Sequence, residues 1–442
     1  MFSLALVYAF RMVGLFMILP VFSLYAEDYA GATPVLVGLA IGIYGLTQGL
    51  FQLPFGFLSD RVGRKKMIVL GLLLFCAGSI LAAVADSIYA IIAGRGLQGM
   101  GAIAAVVMAL AADLTREEVR MRIMAVIGMS IGLAFMFSMI VGPILAASVG
   151  ISGIFWVTAG LALMSIVLVL TITPTPDQQG FHRDAQLSVA DLSRVLSNTE
   201  LLRLDFGVFV LHMILSATFV LFPLVLRDQL GIAVEAHWQT YLPVFVLSIV
   251  LMIPMIITAE KKRKMKLMFL AGVALVGLSE FGLYLFQDYI WVFAMLVLFF
   301  SGFNFLEASM PSLVAKIAPA DMKGSAMGLF SASQFIGAFC GGLLGGSMLA
   351  YDASQPAFYE LGLIALIWIG VAFFMKNPKA VTSRIVSLQN MDESSLQNFR
   401  KQVELLPGVQ EVSVYLEDRM AYLKIDKRLF ADEALDRLIM SC

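Results

Sequence analysis

Two ionisable side chains lie inside long apolar stretches in the second half of the chain. Glu307 falls within the apolar stretch 290–315 and His212 within the stretch 203–229. A carboxyl group in hydrocarbon must be neutral or paired, and an imidazole, whose unperturbed pKa is about 6.5, exchanges protons at physiological pH. We therefore predict that Glu307 and His212 couple proton movement to another process. A purely structural role for either group is the alternative.

Two arginines lie within apolar stretches and away from the charged loops, Arg11 and Arg95. An arginine at the centre of a membrane helix costs about 2.5–3.5 kcal/mol to insert. Each guanidinium is therefore expected to face a cavity or a partner. For Arg11, a cavity and a structural ion pair between helices remain equally open.

Polar side chains recur every four residues at Tyr44, Gln48 and Gln52, which places them on one face of a helix. Lipid disfavours such a face, so the stripe is predicted to line a substrate cavity. Asn304 and Gln334 are predicted to face it from the second half. A cavity with apolar walls and few charges fits amphiphilic or hydrophobic substrates better than phosphorylated or dicarboxylate ones.

The chemistry of an enzyme is not evident. The sequence has no G-x-x-x-x-G-K-[ST] phosphate loop, no metal-ligand cluster and no catalytic triad pattern, and its three cysteines are scattered. A net charge of −1 gives no indication of nucleic-acid binding. We predict no catalytic residues, no metal and no cofactor. Energy would come from an ion gradient, which supplies about 2.3 kcal/mol per charge across 100 mV.

The composition requires a membrane to position these groups. Of 442 residues, 60% are hydrophobic and 14% are charged, and the mean hydropathy is +0.90. Helices of about 20 residues cross a bilayer, whereas a membrane strand needs only about ten. Twelve spans are predicted, near 2–26, 34–59, 66–85, 88–112, 123–147, 151–172, 203–229, 237–259, 266–286, 290–315, 322–350 and 355–375.

Lys and Arg residues concentrate in alternate loops, which indicates the cytoplasmic side. The opposite loops hold a single basic residue, Arg227. Both termini are therefore predicted to be cytoplasmic. The basic residues that carry this inference are Arg61, Arg64, Lys65, Lys66, Arg116, Arg120, Arg122, Lys261, Lys262, Arg263, Lys264, Lys266, Lys316 and Lys323.

The longest polar connection divides the spans into two sets of six. Pro54 and Asp60 in the first set recur as Pro254 and Glu260 in the second. Two similar halves around a central cavity are the architecture of alternating-access transporters. The predicted domains are six-helix bundles at 1–172 and 201–376, a cytoplasmic linker at 173–200 and a terminal domain at 377–442.

The segment 56–66, GFLSDRVGRKK, resembles the loop signature G-x-L-x-D-R-x-G-R-K of the major facilitator superfamily. The resemblance implies a twelve-helix, six-plus-six fold and an interdomain latch. In that latch Asp60 meets the start of span 11, near 321–324, and Arg64 pairs with Asp113. The latch residues that the resemblance implies are Gly56, Asp60, Arg61, Gly63, Arg64 and Asp113.

Two further segments resemble elements of proton-coupled drug antiporters in this superfamily. The segment 95–101 resembles R-x-x-Q-G-x-G, which implies that Arg95 takes part in proton movement. The segment 138–147 matches the glycine-rich antiporter motif only in part, because Ser138, Ala146 and Ala147 stand where that motif has glycine. This departure leaves the direction of transport open between antiport and symport.

The tail after the last span predicts a small α+β domain. Its predicted elements are a strand at 384–389, a helix at 392–406, strands at 409–417 and 420–426, and a helix at 431–439. This β-α-β-β-α order resembles a ferredoxin-like domain, and 405–412 resembles heavy-metal-associated domains. Where the metal-binding cysteines of those domains belong, this chain has Gln389, Asn390, Met391 and Asp392. We therefore predict no metal there, and one unpaired sheet edge.

Together these features predict an all-α membrane protein with a ferredoxin-like tail, located in the bacterial inner membrane. The predicted function is proton-coupled antiport that exports small amphiphilic or hydrophobic compounds by alternating access. The alternatives are a proton symporter of a small metabolite and a membrane sensor that signals through its tail. The expected partners are a small-molecule substrate, protons, lipid and a regulatory ligand or protein at the tail, with a monomer as the transport unit.

Overall fold

The computed structural model describes residues 2–115, 117–175, 189–319, 322–351, 354–377, 382–388, 393–415, 420–426 and 429–441. Parts of the predicted linker 173–200, the latch position Asp321 and the tail loop 389–392 lie outside these ranges. The helices are α1 Phe2–Phe16, α2 Phe22–Tyr25, α3 Pro34–Val62, α4 Arg64–Ala83, α5 Ile88–Met100, α6 Ala104–Asp113, α7 Glu117–Thr171, α8 Val189–Leu196, α9 Thr199–Leu224, α10 His237–Lys261, α11 Met265–Leu285, α12 Tyr289–Ile317, α13 Lys323–Ala350, α14 Ser354–Phe373, α15 Glu393–Glu404 and α16 Asp432–Ser441.

Ten segments of the described chain are long and apolar enough to cross a membrane. One of them, within α7, is two helices joined at Gly150, whose φ of 68° interrupts the helical backbone. With the shorter apolar helix α1, these segments account for the twelve predicted spans. The all-α membrane fold that the sequence predicts is confirmed.

Two predicted spans are broken rather than continuous. The first stops at Phe16, four residues before Pro20, because proline lacks an N–H and its ring clashes with the carbonyl four residues earlier. The fourth divides into α5 and α6 at Gly101. A Cβ at Gly101 would overlap the backbone oxygen of Gly71 on α4, so only glycine permits this close packing. The break at Gly101 lies beside a buried polar group, since Arg11 donates a hydrogen bond of 2.9 Å to the carbonyl oxygen of Gly101.

The membrane helices form two groups. In the first half, α1 and α4 pack on α7, and α5 packs on α3 and α4. In the second half, α11 packs on α12 and α14, while α9 packs on α13. The halves meet where α3 lies along α13 and where α7 lies along α10. This pairing is the six-plus-six arrangement that the sequence predicts.

The halves are closed against each other at the end of the bundle where α3 begins. A Cβ at Gly38 would overlap the carbonyl oxygen of Gly342 and lie 2.8 Å from the Cα of Gly346 on α13. At Gly49, further along α3, the nearest atom to such a Cβ is 3.4 Å away, an ordinary contact. The two helices therefore diverge along α3. We call the ends of the bundle the Gly38 end and the Asp60 end.

A second contact closes the Gly38 end. The guanidinium of Arg227, after α9 in the second half, donates a hydrogen bond of 3.1 Å to the carbonyl oxygen of Leu24 on α2. The side chain also pairs with the neighbouring Asp228 at 2.6 Å. The one basic residue that the sequence places on this side therefore bridges the halves.

The tail is a small α+β unit with its own core. Strands β1 Thr382–Ser387, β2 Val409–Tyr415 and β3 Met420–Ile425 form an antiparallel sheet in the order β1-β3-β2. Its buried core includes Val386, Phe399, Leu423 and Leu435. The predicted β-α-β-β-α order is confirmed, with the first strand starting two residues earlier than expected.

The tail rests on the second half at the Asp60 end. Lys424 on β3 donates a hydrogen bond of 3.3 Å to the carbonyl oxygen of Ile317, the last residue of α12. The same ammonium group pairs with Glu411 of the tail at 2.9 Å. Oδ1 of Asp426 lies 3.9 Å from Nη2 of Arg263, which is in the connection between α10 and α11.

Replacing Lys424 with methionine is expected to loosen the tail from the membrane body, because it removes the donor to Ile317. The partly exposed ion pair between Arg263 and Asp426 contributes only about 0–1 kcal/mol, so it compensates little for the lost hydrogen bond. Spin labels at the exposed positions Leu405 and Val62 should give a broader distance distribution. Glu411→Gln is the matched control, since it disrupts the pair within the tail but keeps the lysine. An unchanged distribution in Lys424→Met would contradict the docking contact.

Candidate functional site

Three side chains that the sequence indicates as functional, each on a different helix, meet in the second half. The side-chain nitrogen Nε2 of Gln334, on α13, lies 2.8 Å from Nε2 of His212 on α9 and 3.3 Å from Oε1 of Glu307 on α12. His212 Nε2 is 3.6 Å from the other carboxyl oxygen of Glu307. The two predicted proton-coupling residues are therefore neighbours. Gln334, predicted to contact substrate, bridges them.

The hydrogen bonds of this cluster indicate which tautomer a neutral His212 adopts. His212 Nδ1 lies 3.1 Å from the carbonyl oxygen of Val208, which can only accept, so Nδ1 carries a hydrogen. In a neutral imidazole Nε2 is then an acceptor, and Gln334 donates to it. The second amide hydrogen of Gln334 is directed to Glu307. A proton added to His212 Nε2 would remove that acceptor and force Gln334 to rotate.

Glu307 is partly exposed although it lies within an apolar helix. Its side chain is 37% exposed, whereas the preceding Phe305 and Leu306 are buried. His212 is mostly buried beside it. The cluster therefore pairs one partly exposed carboxyl group with one imidazole that lies inside the bundle.

Aromatic rings from both halves form a wall beside the cluster. The Phe303 ring lies 5.8 Å from the imidazole of His212, centroid to centroid. Phe135, on α7 of the first half, contacts four phenylalanines of the second half at ring distances of 5.5–6.5 Å. These four are Phe219, Phe245, Phe300 and Phe303. Aromatic packing of this kind joins the halves through rings rather than charges.

Asn304 does not join the cluster. Its side-chain nitrogen donates a hydrogen bond of 3.0 Å to Ser248 on α10, which ties α12 to that helix. The side chain is partly exposed. Its contact with substrate stays a prediction.

The polar stripe on α3 is an internal hydrogen-bond chain in this state. The Tyr44 hydroxyl donates to Gln48 at 3.4 Å, and Gln48 donates to Gln52 at 3.2 Å. All three side chains are buried. Arg11 on α1 also donates to Gln48, and to the carbonyl oxygen of Gly101 at 2.9 Å. The stripe therefore faces Arg11, and its role in lining a cavity stays a prediction.

Arg11 has no ion-pair partner among the described residues, so the structural ion pair weighed for it is not what the structure shows. Its partners are a side-chain amide and a backbone carbonyl. Sequence reasoning identified both Arg11 and the stripe as polar groups in apolar spans. It did not connect them, because their contact depends on how α1 and α3 pack.

Arg95 is likewise buried within the first half. Its Nη1 donates to Gln98 at 2.8 Å, and its Nε to the carbonyl oxygen of Ala40 at 3.4 Å. Gln98 in turn donates to Ser79 on α4 at 2.7 Å. None of these bonds reaches Glu307 or His212. The role of Arg95 in proton movement stays a prediction.

The connection between α3 and α4 is organised by Arg64. Its guanidinium pairs with Asp113 at the end of α6 and with Asp60 at 2.8 Å. Gly63 joins α3 and α4 with a φ of 107°, a conformation that favours glycine. The expected contact of Arg64 with Asp113 is present. Its action as a latch stays a prediction.

The other predicted latch residues surround this ion pair. Gly56 accepts a hydrogen bond of 2.6 Å from the Ser59 hydroxyl through its carbonyl oxygen. Arg61 is exposed, and the side chain of Asp60 is about one third exposed at 34%. In this state the described partner of Asp60 is Arg64.

Comparison with known proteins gives this architecture a family. The sequence profile described as Major Facilitator Superfamily matches residues 4–324 and 263–409. The inner membrane transport protein YajR of Escherichia coli K12 is 43% identical over 430 residues, which cover 97% of this chain and 94% of that protein. The multidrug resistance protein MdtH of Yersinia pestis is 24% identical over 388 residues, covering 85% and 94% respectively.

Solved structures agree on the fold. A bacterial homologue of the human lysosomal transporter Spinster, in an inward-facing and occupied conformation, superposes with a TM-score of 0.69 at 12% identity. The match covers 85% of this chain and 95% of that one. The apolar spans and the YajR relative indicate an integral inner-membrane protein whose role is transport rather than catalysis. The chain belongs to the Major Facilitator Superfamily.

Proposed function

We propose that the protein is a proton-coupled antiporter that exports small amphiphilic or hydrophobic compounds by alternating access. The observation that carries the proposal is the His212–Gln334–Glu307 cluster, in which a partly exposed carboxyl and an imidazole share one amide. Protonation of either group changes the hydrogen bonds between α9, α12 and α13. Because α13 also forms the contact with α3, a change in the cluster reaches the interface between the halves.

The closed Gly38 end supports an assignment of the conformational state. Lys and Arg residues concentrate at the Asp60 end, which supports a cytoplasmic location for that end under the positive-inside rule. On this proposal the closed Gly38 end is external and the described state is inward-facing. An inward-facing transporter in this state would collect substrate from the cytoplasm.

The walls beside the cluster support the substrate class. Phe303 lies against His212 and packs on Phe135 of the first half, and Glu307 supplies the nearest carboxylate. Such a surface binds compounds through apolar contact with one polar interaction. The similarity to a multidrug resistance protein is in line with this class.

The tail would serve as the regulatory element. It contacts Ile317 at the end of α12 and Arg263 in the connection between α10 and α11. A ligand or protein that binds the tail would act through these two contacts, with a single chain as the transport unit.

The test is proton flux in liposomes that contain the purified protein. Under an imposed pH gradient, candidate amphiphilic cations or neutral drugs should each move protons in the direction opposite to the drug. Glu307→Gln keeps the amide contact but cannot lose a proton, so it should reduce coupled flux by about 100-fold or more, the scale of a lost general acid–base group. Drug binding measured without a gradient should change much less.

Glu360→Gln is the matched control, because it makes the same change at an exposed carboxylate on α14, outside the cluster. Full coupled flux in Glu307→Gln would contradict the assignment of that residue. Proton movement in the same direction as substrate would instead identify a symporter, the alternative that the partial match at 138–147 leaves open.

A further inference from the structure

Two positive charges are buried in the first half with no negative partner in the described part of the chain. Arg11 and Arg95 are each 1% exposed. Within the described ranges, neither guanidinium forms an ion pair with a carboxylate. Arginine does not lose its proton in proteins, so neutralisation by deprotonation is not available. The charge must be met by another group.

The unused donors lie on the same two side chains. Arg11 bonds Gln48 and Gly101 through Nη2 alone, which leaves Nε and Nη1 with no acceptor among the described residues. Arg95 uses Nε and Nη1, which leaves Nη2 without an acceptor there. Buried polar groups in proteins are almost always hydrogen-bonded, so these three donors call for acceptors beyond the described side chains, two of them at Arg11.

Aromatic rings compensate these charges only in part. The guanidinium carbon of Arg11 lies 5.8 Å from the Tyr44 ring centroid and 5.6 Å from that of Phe75. The Arg95 guanidinium carbon lies 5.0 Å from the same Tyr44 ring. A ring face attracts a cation less strongly than a full counter-charge does. It also accepts no conventional hydrogen bond from the unused donors. The shared ring keeps two like charges near each other, which adds repulsion.

From this arrangement we infer that the first half contains an anion-binding site, with Arg11 as the principal ligand, Arg95 as the second positive charge and Tyr44 between them. The occupant is a compact, singly charged anion, either a halide or a carboxylate group. Aromatic walls and full burial disfavour strongly hydrated dianions such as phosphate. A guanidinium binds carboxylate oxygens well through parallel N–H donors.

Binding of an anion at Arg11 is an equilibrium property of the first half and does not depend on proton coupling at Glu307 and His212. An inorganic halide would be a resident ion that holds α1, α3 and α5 together. A carboxylate would be part of a transported compound. The two sources share the same chemistry at Arg11, and the choice of salts in the experiment separates them.

The experiment measures thermal unfolding of the full chain in lipid nanodiscs with sodium sulfate as the reference salt, because sulfate is a strongly hydrated dianion without a carboxylate group. Sodium chloride, bromide, acetate or benzoate is titrated in place of sulfate at constant ionic strength. A ligand that binds only the folded protein raises the unfolding midpoint with its concentration. Arg11→Gln should lower the apparent affinity for the stabilising anion by about tenfold or more, the scale of a lost charged contact.

Arg203→Gln is the matched control, since Arg203 is partly exposed and pairs with Glu200 at the start of α9. Arg11→Lys serves if the glutamine variant does not fold, because it keeps the charge and loses the planar fork. That variant should weaken the carboxylate response more than the halide response.

Each outcome decides the inference. Saturable stabilisation by chloride and bromide supports a resident halide, and stabilisation by acetate or benzoate alone supports a carboxylate of the substrate. A wild-type midpoint that does not depend on the anion overturns the site, as does a full response in Arg11→Gln. Since no pH gradient is present, either negative result leaves the test of proton coupling unaffected.

Discussion

Replacing Gly38 with leucine is expected to drive the protein out of the state described here. A side chain at this position would overlap the backbone of Gly342 and Gly346, and backbone atoms cannot move aside as the end of a flexible side chain can. Overpacking in tight interiors costs about 1–3 kcal/mol. A difference of about 1.4 kcal/mol changes the ratio of two states tenfold. The closed Gly38 end should therefore lose most of its population.

Spin labels at Tyr89 and Tyr351 report on this change. Both side chains are exposed at the Gly38 end, one at the start of α5 in the first half and one after α13 in the second. In a background without the native cysteines, their separation should increase in Gly38→Leu. Transport should fall in parallel, because a transporter that cannot close one end cannot complete its cycle.

Gly160→Leu provides the control for adding a leucine to a membrane helix. A Cβ at Gly160 meets no atom within 4 Å, and the residue is exposed on the lipid-facing part of α7. This variant should keep the wild-type distances and flux. If Gly38→Leu gave the same distances as Gly160→Leu, the glycine contact between α3 and α13 would not control the closed state.

The spans could be predicted from sequence because hydropathy depends on composition over about 20 residues. The tail strands followed similarly from local alternation and from the turn at Gly408, whose φ is 88°. The breaks at Pro20 and Gly101 are harder to infer. Pro20 ends α1, yet Pro54 lies within the continuous helix α3, so proline alone does not decide where a membrane helix stops.

The candidate site shows where sequence reasoning reaches its limit. Glu307 and His212 attract notice because a titratable group in an apolar stretch is costly. Their contact through Gln334 joins α9, α12 and α13, and no local pattern encodes that packing. The same limit applies to Gln48: its spacing indicates a polar face of α3, but its hydrogen bond with Arg11 is visible only in the structure. Residue types indicate candidates, whereas partners require the fold.

Replacing Arg64 with glutamine is expected to be the most destabilising of the loop variants. Its guanidinium lies between Asp60 and Asp113, and the side chain of Asp113 has no exposed surface. Removing one member of a buried ion pair costs about 3–5 kcal/mol, because it leaves the other charge in a medium of low polarity. The thermal midpoint in nanodiscs should fall well below that of wild type. The backbone amides at the end of α6, next to Asp113, should become accessible to hydrogen exchange.

Arg61→Gln is the matched control for stability, since Arg61 lies three residues earlier, in the last turn of α3, and is exposed. It should change stability by less than about 0.5 kcal/mol, as surface substitutions usually do. Adding Asp113→Asn to Arg64→Gln should restore part of the loss, because the double variant no longer buries the Asp113 charge. A strictly additive double variant would show that Arg64 and Asp113 are not energetically coupled, and the proposed latch would then lose its central ion pair.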